Sequence, residues 1–191
     1  MSKTRMDAFS DGVFAIAITL LVINLLTIHD RLAYHWPDYA AFAFSFLTIG
    51  VMWVNHHHLM NQLTHADRVL LFLNLLLLMG IVFIPFPTAL IGEHIRGAGA
   101  RSATVAYGCT GIYLSIFFSV LWHYGRLHVL RPEADPKEVS GITRSYLPGL
   151  PLYLTGTLLA LASPVASAVF YAAIAVFYSL SNTFFGKEPS E

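Results

Sequence analysis

The sequence predicts an all-α integral membrane protein with six transmembrane helices and both termini in the cytoplasm. Three observations predict it. Of 191 residues, 56% are hydrophobic and only 12% charged, where a soluble domain carries about 25% charged residues; mean hydropathy is +0.63. Six apolar segments reach the length of a membrane span, which needs about 20 residues. The basic residues then fall unequally on the two sides of those spans.

The segments are about 8–28, 38–60, 68–91, 103–124, 146–162 and 164–185, and together they make a single transmembrane domain. Lys3 and Arg5 ahead of the first apolar run resemble the start of a signal peptide. However, Asp7 and Asp11 sit where the positive region should end, and only Thr27-Ile28-His29 follows Leu26, with no small-x-small cleavage site. An uncleaved first span is expected, with no organellar address, so the cell membrane is the expected location. Segment three contains Pro85 and Pro87 and should kink or fray after Ile84. Tyr146 to Phe185 is free of charge and too long for one span. Ser163-Pro164 divides it, because serine at the N-cap followed by proline at the first helical position is a helix-start signature. The longest loop, of roughly 20 residues by that count, lies between helices four and five, which leaves no room for a soluble domain.

With the amino terminus inside, Lys3, Arg5, Arg68, Arg126, Arg131, Lys137, Arg144 and Lys187 are cytoplasmic. Only Arg31, Arg96 and Arg101 are outside. Eight against three satisfies the positive-inside bias. Net charge is zero, so nothing points to a nucleic-acid partner. Cys109, the single cysteine, lies in an apolar stretch and is expected to be a small buried hydrophobe. No internal motif repeat is visible, which disfavours a two-fold inverted-repeat transporter within one chain.

The first helix opens Arg5-Met6-Asp7-Ala8-Phe9-Ser10-Asp11, so ionisable groups stand at the mouth of a span. Such groups are costly there unless partnered, and by default they raise a functional hypothesis. On a wheel of 100° per residue with Ile16 at zero, Thr19 falls at about −60°, Leu20 at about +40°, Ile23 at about −20° and Thr27 at about +20°. Arg5 lies at about −20°, Ser10 at about +120° and Asp11 at about −140°. The helix thus carries an aliphatic-hydroxyl stripe and a separate polar corner. Ordinary packing or lipid contact would account for the stripe, and an interfacial anchor for Arg5 and Asp11. Arg5 and Asp11 are too far apart to satisfy each other, so their partners should come from neighbouring helices or a neighbouring subunit.

Helix two ends Asn55-His56-His57-His58. Zinc held on one helix wants histidines at i and i+4, but His57 is followed at that spacing by Asn61 and His58 by Gln62. Four consecutive residues also fan around the whole helix. No metal and no cofactor is expected. The run reads instead as a polar layer in which Arg5, Asp11, Asn55 and one or two histidines, with Asn74 of helix three, share hydrogen bonds. Those histidines would make activity depend on pH. His65, His123 and His128 fall near membrane ends, where exposure is the expectation. No T-V-G-Y-G filter, arginine-rich voltage sensor, P-loop, G-x-S-x-G or H-E-x-x-H occurs, so the usual enzyme signatures fail.

At R-x-x-x-F-S-D followed by G-V-F-A-I-A-I-T-L-L-V-I, the chain resembles the transmembrane protein 175 family of potassium channels. It is similar to the prokaryotic type, with one six-helix unit per chain where animal members have two fused. Trp53 and the Asn-His run give weaker support. The resemblance implies a homotetramer with a central pore lined by helix one, and no carbonyl filter. It places the narrowest ring at Ile16, a second ring at Thr19 and a third at Ile23. Arg5, Phe9, Ser10 and Asp11 would tie helix one to helices two and three, with Asn55, His56, His57 and His58 as open alternatives for the partner. The alternative function is a proton- or cation-coupled transporter using Asp11 and the helix-two histidines. A haem-binding oxidoreductase using histidines of two helices is a third, and a purely structural membrane protein a fourth.

Overall fold

In the computed structural model of the chain, residues 2–23, 25 and 36–185 are described, and the regular elements among them are helices, with one isolated antiparallel bridge between Leu63 and Leu130. In chain order the elements are α1 (Lys3–Ile23), α2 (Trp36–Asn61), α3 (Arg68–Phe83), α4 (Pro85–His94), α5 (Ala100–His128), α6 (Pro136–Tyr146), α7 (Gly149–Ala162) and α8 (Pro164–Phe185). Four stretches are long and apolar enough to cross a membrane: Lys3–Ile23, Trp36–Asn61, Arg68–His94 and Ala100–His128. The end of the first expected span, including Thr27, lies outside the described residues.

Several boundaries follow from single residues. Asp67 caps α3, its carboxylate accepting from Leu70 N at 2.8 Å, which satisfies one of the orphan amides of the first turn. Pro85 and Pro87 have no N–H to donate, so α3 closes one turn early. Ile84 N reaches the Ile81 carbonyl at 3.2 Å, the tighter i→i+3 pattern of a helix end, and α4 restarts at Pro85. Ser163 Oγ accepts from Ala166 N at 3.3 Å at the head of α8, as the Ser-Pro signature predicts.

The loop between the fourth and fifth expected spans is shorter than anticipated, because it contains α6. Asp135 caps that helix and Pro136 opens it. Val139, Ile142 and Tyr146 of α6 pack against the core, while Trp122 Nε1 donates to Thr143 Oγ1 at 2.9 Å. As a result α7 begins at Gly149 rather than near Tyr146 and runs for only 14 residues, about 21 Å.

α1 packs on α2, α3 and α4, and α5 sits among α3, α4, α7 and α8. The main core joins Phe14, Leu21, Ile49, Leu77, Leu114 and Leu121 from α1, α2, α3 and α5. A smaller aromatic core around Tyr153 and Tyr171 joins α7 and α8. α5 and α7 approach closely because Gly108 and Gly111 leave room: a Cβ at Gly111 would run into the Tyr153 ring, and one at Gly108 into Thr157 and the Tyr171 hydroxyl. Small residues at such crossings are how membrane helices gain packing contact. Cys109 is exposed, contrary to expectation. Thr104, Gly108 and Gly111 turn the other side of α5 inward, because the close crossing with α7 selects small residues for the buried face.

Candidate functional site

The two faces of α1 differ in what they meet. Met6, Ser10, Phe14, Ala17 and Leu21 are buried, at the 3- and 4-residue spacing of one helix face. Nearly opposite runs an exposed stripe of Arg5, Phe9, Gly12, Ile16, Thr19 and Ile23. Ile16 is 57% exposed, Phe9 52% and Ile23 51%. Thr19 Oγ1 donates to the Ile16 carbonyl at 2.8 Å, so its proton is used within the helix and its lone pairs face outward.

The buried face is held by polar contacts to two helices. Ser10 Oγ donates to Met6 O at 2.9 Å and accepts from Asn74 Nδ2 of α3, also at 2.9 Å. Asn74 Oδ1 lies 2.8 Å from His56 Nε2 of α2. With the amide nitrogen committed to Ser10, the amide oxygen accepts and His56 donates. Ser10, Asn74 and His56 are all buried, and the His56 ring sits 5.4 Å from that of Phe14. One hydrogen-bonded chain therefore runs α1–α3–α2 with no member unpaired, the condition under which buried polar groups are tolerated. A second tie joins Asp11 to α2, where Trp53 Nε1 donates to Asp11 Oδ1 at 2.8 Å. Near the start of α1, Lys3 Nζ lies 3.2 Å from Asp7 Oδ2.

The single network expected from the sequence is thus two separate ties, and several expected members are elsewhere. Arg5 and Phe9 share the phase of Ile16, so they lie on the exposed stripe. The Arg5 side chain makes no hydrogen bond or ion pair among the described residues. Asn55 is rotated one residue away from His56: its carbonyl accepts from Tyr146 OH at 3.4 Å, and the residue lines a cavity of about 60 Å³ beside Thr48, Ser115 and Tyr146. His57 is exposed and faces Trp53, ring centres 6.2 Å apart. His56 is buried while His57 and His58 are both exposed. Among the described residues no group of three His, Cys, Asp or Glu side chains converges as a metal ion would need. The partner missed in the sequence is Trp53. It precedes His56 by nearly one turn, and its indole N–H, a donor at membrane depth, finds an acceptor in Asp11.

Comparison with known proteins places this geometry. The family model described as the endosomal/lysosomal potassium channel TMEM175 matches residues 5–85. A potassium channel of Chamaesiphon minutus is 40% identical over 171 residues, covering 83% of this chain and 84% of its own. The chain belongs to the TMEM175 family. A potassium channel of Streptomyces collinus is 38% identical over 176 residues, 86% of this chain and 85% of that one. The crystal structure of a lysosomal potassium-selective TMEM175 homolog from Chamaesiphon minutus superposes with a TM-score of 0.86 at 36% identity, covering 93% of this chain and 96% of that chain. The residues matched by the family model include both ties, since Ser10, Asp11, Trp53, His56 and Asn74 all lie within 5–85.

Proposed function

We propose that this chain is a potassium-permeable channel conducting passively through a central pore built by four copies, each contributing α1. The observation that carries the proposal is the exposed stripe Phe9, Gly12, Ile16, Thr19 and Ile23 on a helix whose other face is pinned by Ser10 and Asp11. One copy contributes a single such face and cannot enclose a pore alone. The named potassium channels among its relatives supply the ion.

Four Ile16 side chains form the neck. A narrow apolar constriction gates by dewetting, since excluding water excludes the ion that depends on it. Thr19 stands about 4.5 Å further along the axis and Ile23 about 10.5 Å, at 1.5 Å per residue. The outward lone pairs of Thr19 replace part of the hydration an ion loses at Ile16. No carbonyl filter takes part, so selectivity is modest and set by the cost of dehydration at the neck. Arg5 lies at the pore mouth on the same stripe. The same proposal completes the topology: α3 with α4 forms one span, α7 and α8 add the fifth and sixth, both termini are cytoplasmic, and the chain resides in the cell membrane.

The test is potassium flux into proteoliposomes of purified protein, with sodium as control, for wild type and Ile16→Asn. Potassium-favouring flux whose rate or selectivity changes in the variant supports the neck. Flux that follows an imposed proton gradient rather than the potassium gradient would replace this reading by a coupled transporter using Asp11 and the histidines. No flux from either protein overturns the channel.

A further inference from the structure

Where α6 gives way to α7, the chain encloses a cavity of about 60 Å³ between α2, α5, α7 and α8. None of the residues lining it is exposed, and none belongs to α1. It is a recess within the bundle, away from the exposed stripe of α1.

Polar groups without partners line this recess. Asn55 stands about 9 Å in from the end of α2, at 1.5 Å per residue, and its side-chain amide makes no hydrogen bond among the described residues. Tyr153 is 6% exposed, and its hydroxyl is likewise without a hydrogen bond among them. Neither group is sealed in, because the one enclosed side-chain atom without a partner among the described residues is Asp7 Oδ1. The free atoms of Asn55 and Tyr153 therefore touch open space, and both residues line the cavity. Two further hydroxyls on its wall are poorly served. Tyr146 OH reaches the Asn55 carbonyl at 3.4 Å, and Tyr178 OH reaches the Ser145 carbonyl at 3.3 Å. Both exceed the roughly 3.0 Å limit of a well-formed O–H···O bond. Ser115 Oγ donates to Gly111 O and Thr48 Oγ1 to Phe44 O, so both keep lone pairs with which to accept.

The size and the chemistry of the recess select the same occupant. A cavity holds a water when it offers about 10–15 Å³ of space and two to four polar partners, and this one has room for more than one. An acyl chain in its place would leave an amide and a phenol unpaired, which is costly inside a membrane bundle. Water can accept from the Asn55 amide and the tyrosine hydroxyls, and donate to the Asn55 amide oxygen, Ser115 and Thr48.

We propose that this recess is a hydration site, in which ordered waters join the Asn55 amide to the hydroxyls of Tyr153, Tyr146 and Tyr178. α2 is then held on two sides by different means: by direct hydrogen bonds to α1 and α3 through Trp53 and His56, and through water to α7 and α8 at Asn55. The site does not depend on α1 lining a pore.

The test is X-ray radiolytic footprinting of the full-length protein in detergent, read by mass spectrometry. Hydroxyl radicals formed from bound water oxidise the side chains beside it. After correction for intrinsic reactivity, Tyr153 should be oxidised severalfold faster than Phe14 and Trp122, which are 1% and 3% exposed and do not line the recess. Asn55→Leu replaces the amide by an apolar side chain of similar size, so the rates at Tyr153 and Tyr146 should both fall. Tyr153→Phe keeps the ring and removes one water partner, so the rate at Tyr146 should fall while the elution volume stays that of wild type. A wild-type rate at Tyr153 no higher than at Phe14 and Trp122 means a dry or lipid-filled recess and overturns the proposal. An unchanged rate at Tyr146 in Tyr153→Phe also overturns it, and this variant decides the matter if Asn55→Leu does not fold.

Discussion

Replacing Asn74 by alanine should destabilise the chain by about 2–3 kcal/mol, and the figure can be built from the contacts. Asn74 is 2% exposed, as is His56. The substitution removes the 2.9 Å donation to Ser10 and the 2.8 Å acceptance from His56. Ser10 is little harmed, because its own proton remains on the Met6 carbonyl; the lost bond is worth about 0.6 kcal/mol, the mean for interhelical bonds in membrane proteins. His56 fares worse, since its N–H is left buried without an acceptor at a cost of about 1–3 kcal/mol. Chemical unfolding in mixed micelles measures the sum, and a double-mutant cycle with Ser10→Ala isolates the shared bond, with an expected coupling of about 0.5–1.5 kcal/mol. Ile16→Ala serves as the contrast, because it truncates a side chain already 57% exposed within the chain. Its cost to subunit stability should stay within about 0.5 kcal/mol while potassium flux changes. A loss below about 0.5 kcal/mol for Asn74→Ala, or strict additivity with Ser10→Ala, would refute the assignment of this chain of bonds as the clamp on α1.

Trp53→Phe keeps the ring but deletes the donation to Asp11; being exposed, the bond should contribute about 0.5–1.5 kcal/mol, and the unfolding midpoint should fall slightly while flux selectivity shifts. Gly111→Ala forces a methyl group against the Tyr153 ring at the α5–α7 crossing, so overpacking of about 1–3 kcal/mol is expected, read as a lower unfolding midpoint with ion selectivity unchanged. Burial works against ionisation of Asp67, but hydrogen bonds from Leu70 N and Tyr124 OH outweigh it and hold the carboxyl below its ordinary 3.8. A depressed folded-state value means a stability contribution fully present above the unfolded value and lost as pH falls through the folded one. Asp67→Ala should therefore cost about 1 kcal/mol at neutral pH, and the gap from wild type should narrow only below about pH 4, which unfolding curves across pH would check.

Much of this arrangement could be read before any coordinates, where a residue imposes a rule that neighbours cannot relax. Pro85 and Pro87 end α3 because they have no N–H, and Ser163-Pro164 starts α8 for the same class of reason. The phase of Ile16, Thr19 and Ile23 is fixed by helical geometry alone, and these three residues are exposed together. What could not be read shares one cause. In a membrane span the buried face is chosen by close packing rather than by polarity, so nothing in the sequence distinguishes the buried His56 from the exposed His57, or the exposed Cys109 from the buried Gly108. The opposite failure hid α6: Val139, Ile142 and Tyr146 are spaced as one helix face, but a search for spans of about 20 apolar residues passes over a short, polar helix.

The two polar ties matter because they fix rotation more than they add stability. Ser10 and Asp11 are adjacent, so their side chains point about 100° apart on the helix. One is held by α3 through Asn74 and the other by α2 through Trp53. A single tie would leave α1 free to roll about that contact, whereas two from different neighbours define its angle. The consequence is felt about five residues further on: a roll of about 100° would bring Ala15 or Ala17 to the place of Ile16. A methyl in place of a branched side chain would open the proposed neck and remove the apolar constriction on which gating by dewetting depends. On the proposed pore, polar residues near the start of α1 would control conduction without touching an ion, by deciding which side chain α1 presents one and a half turns deeper.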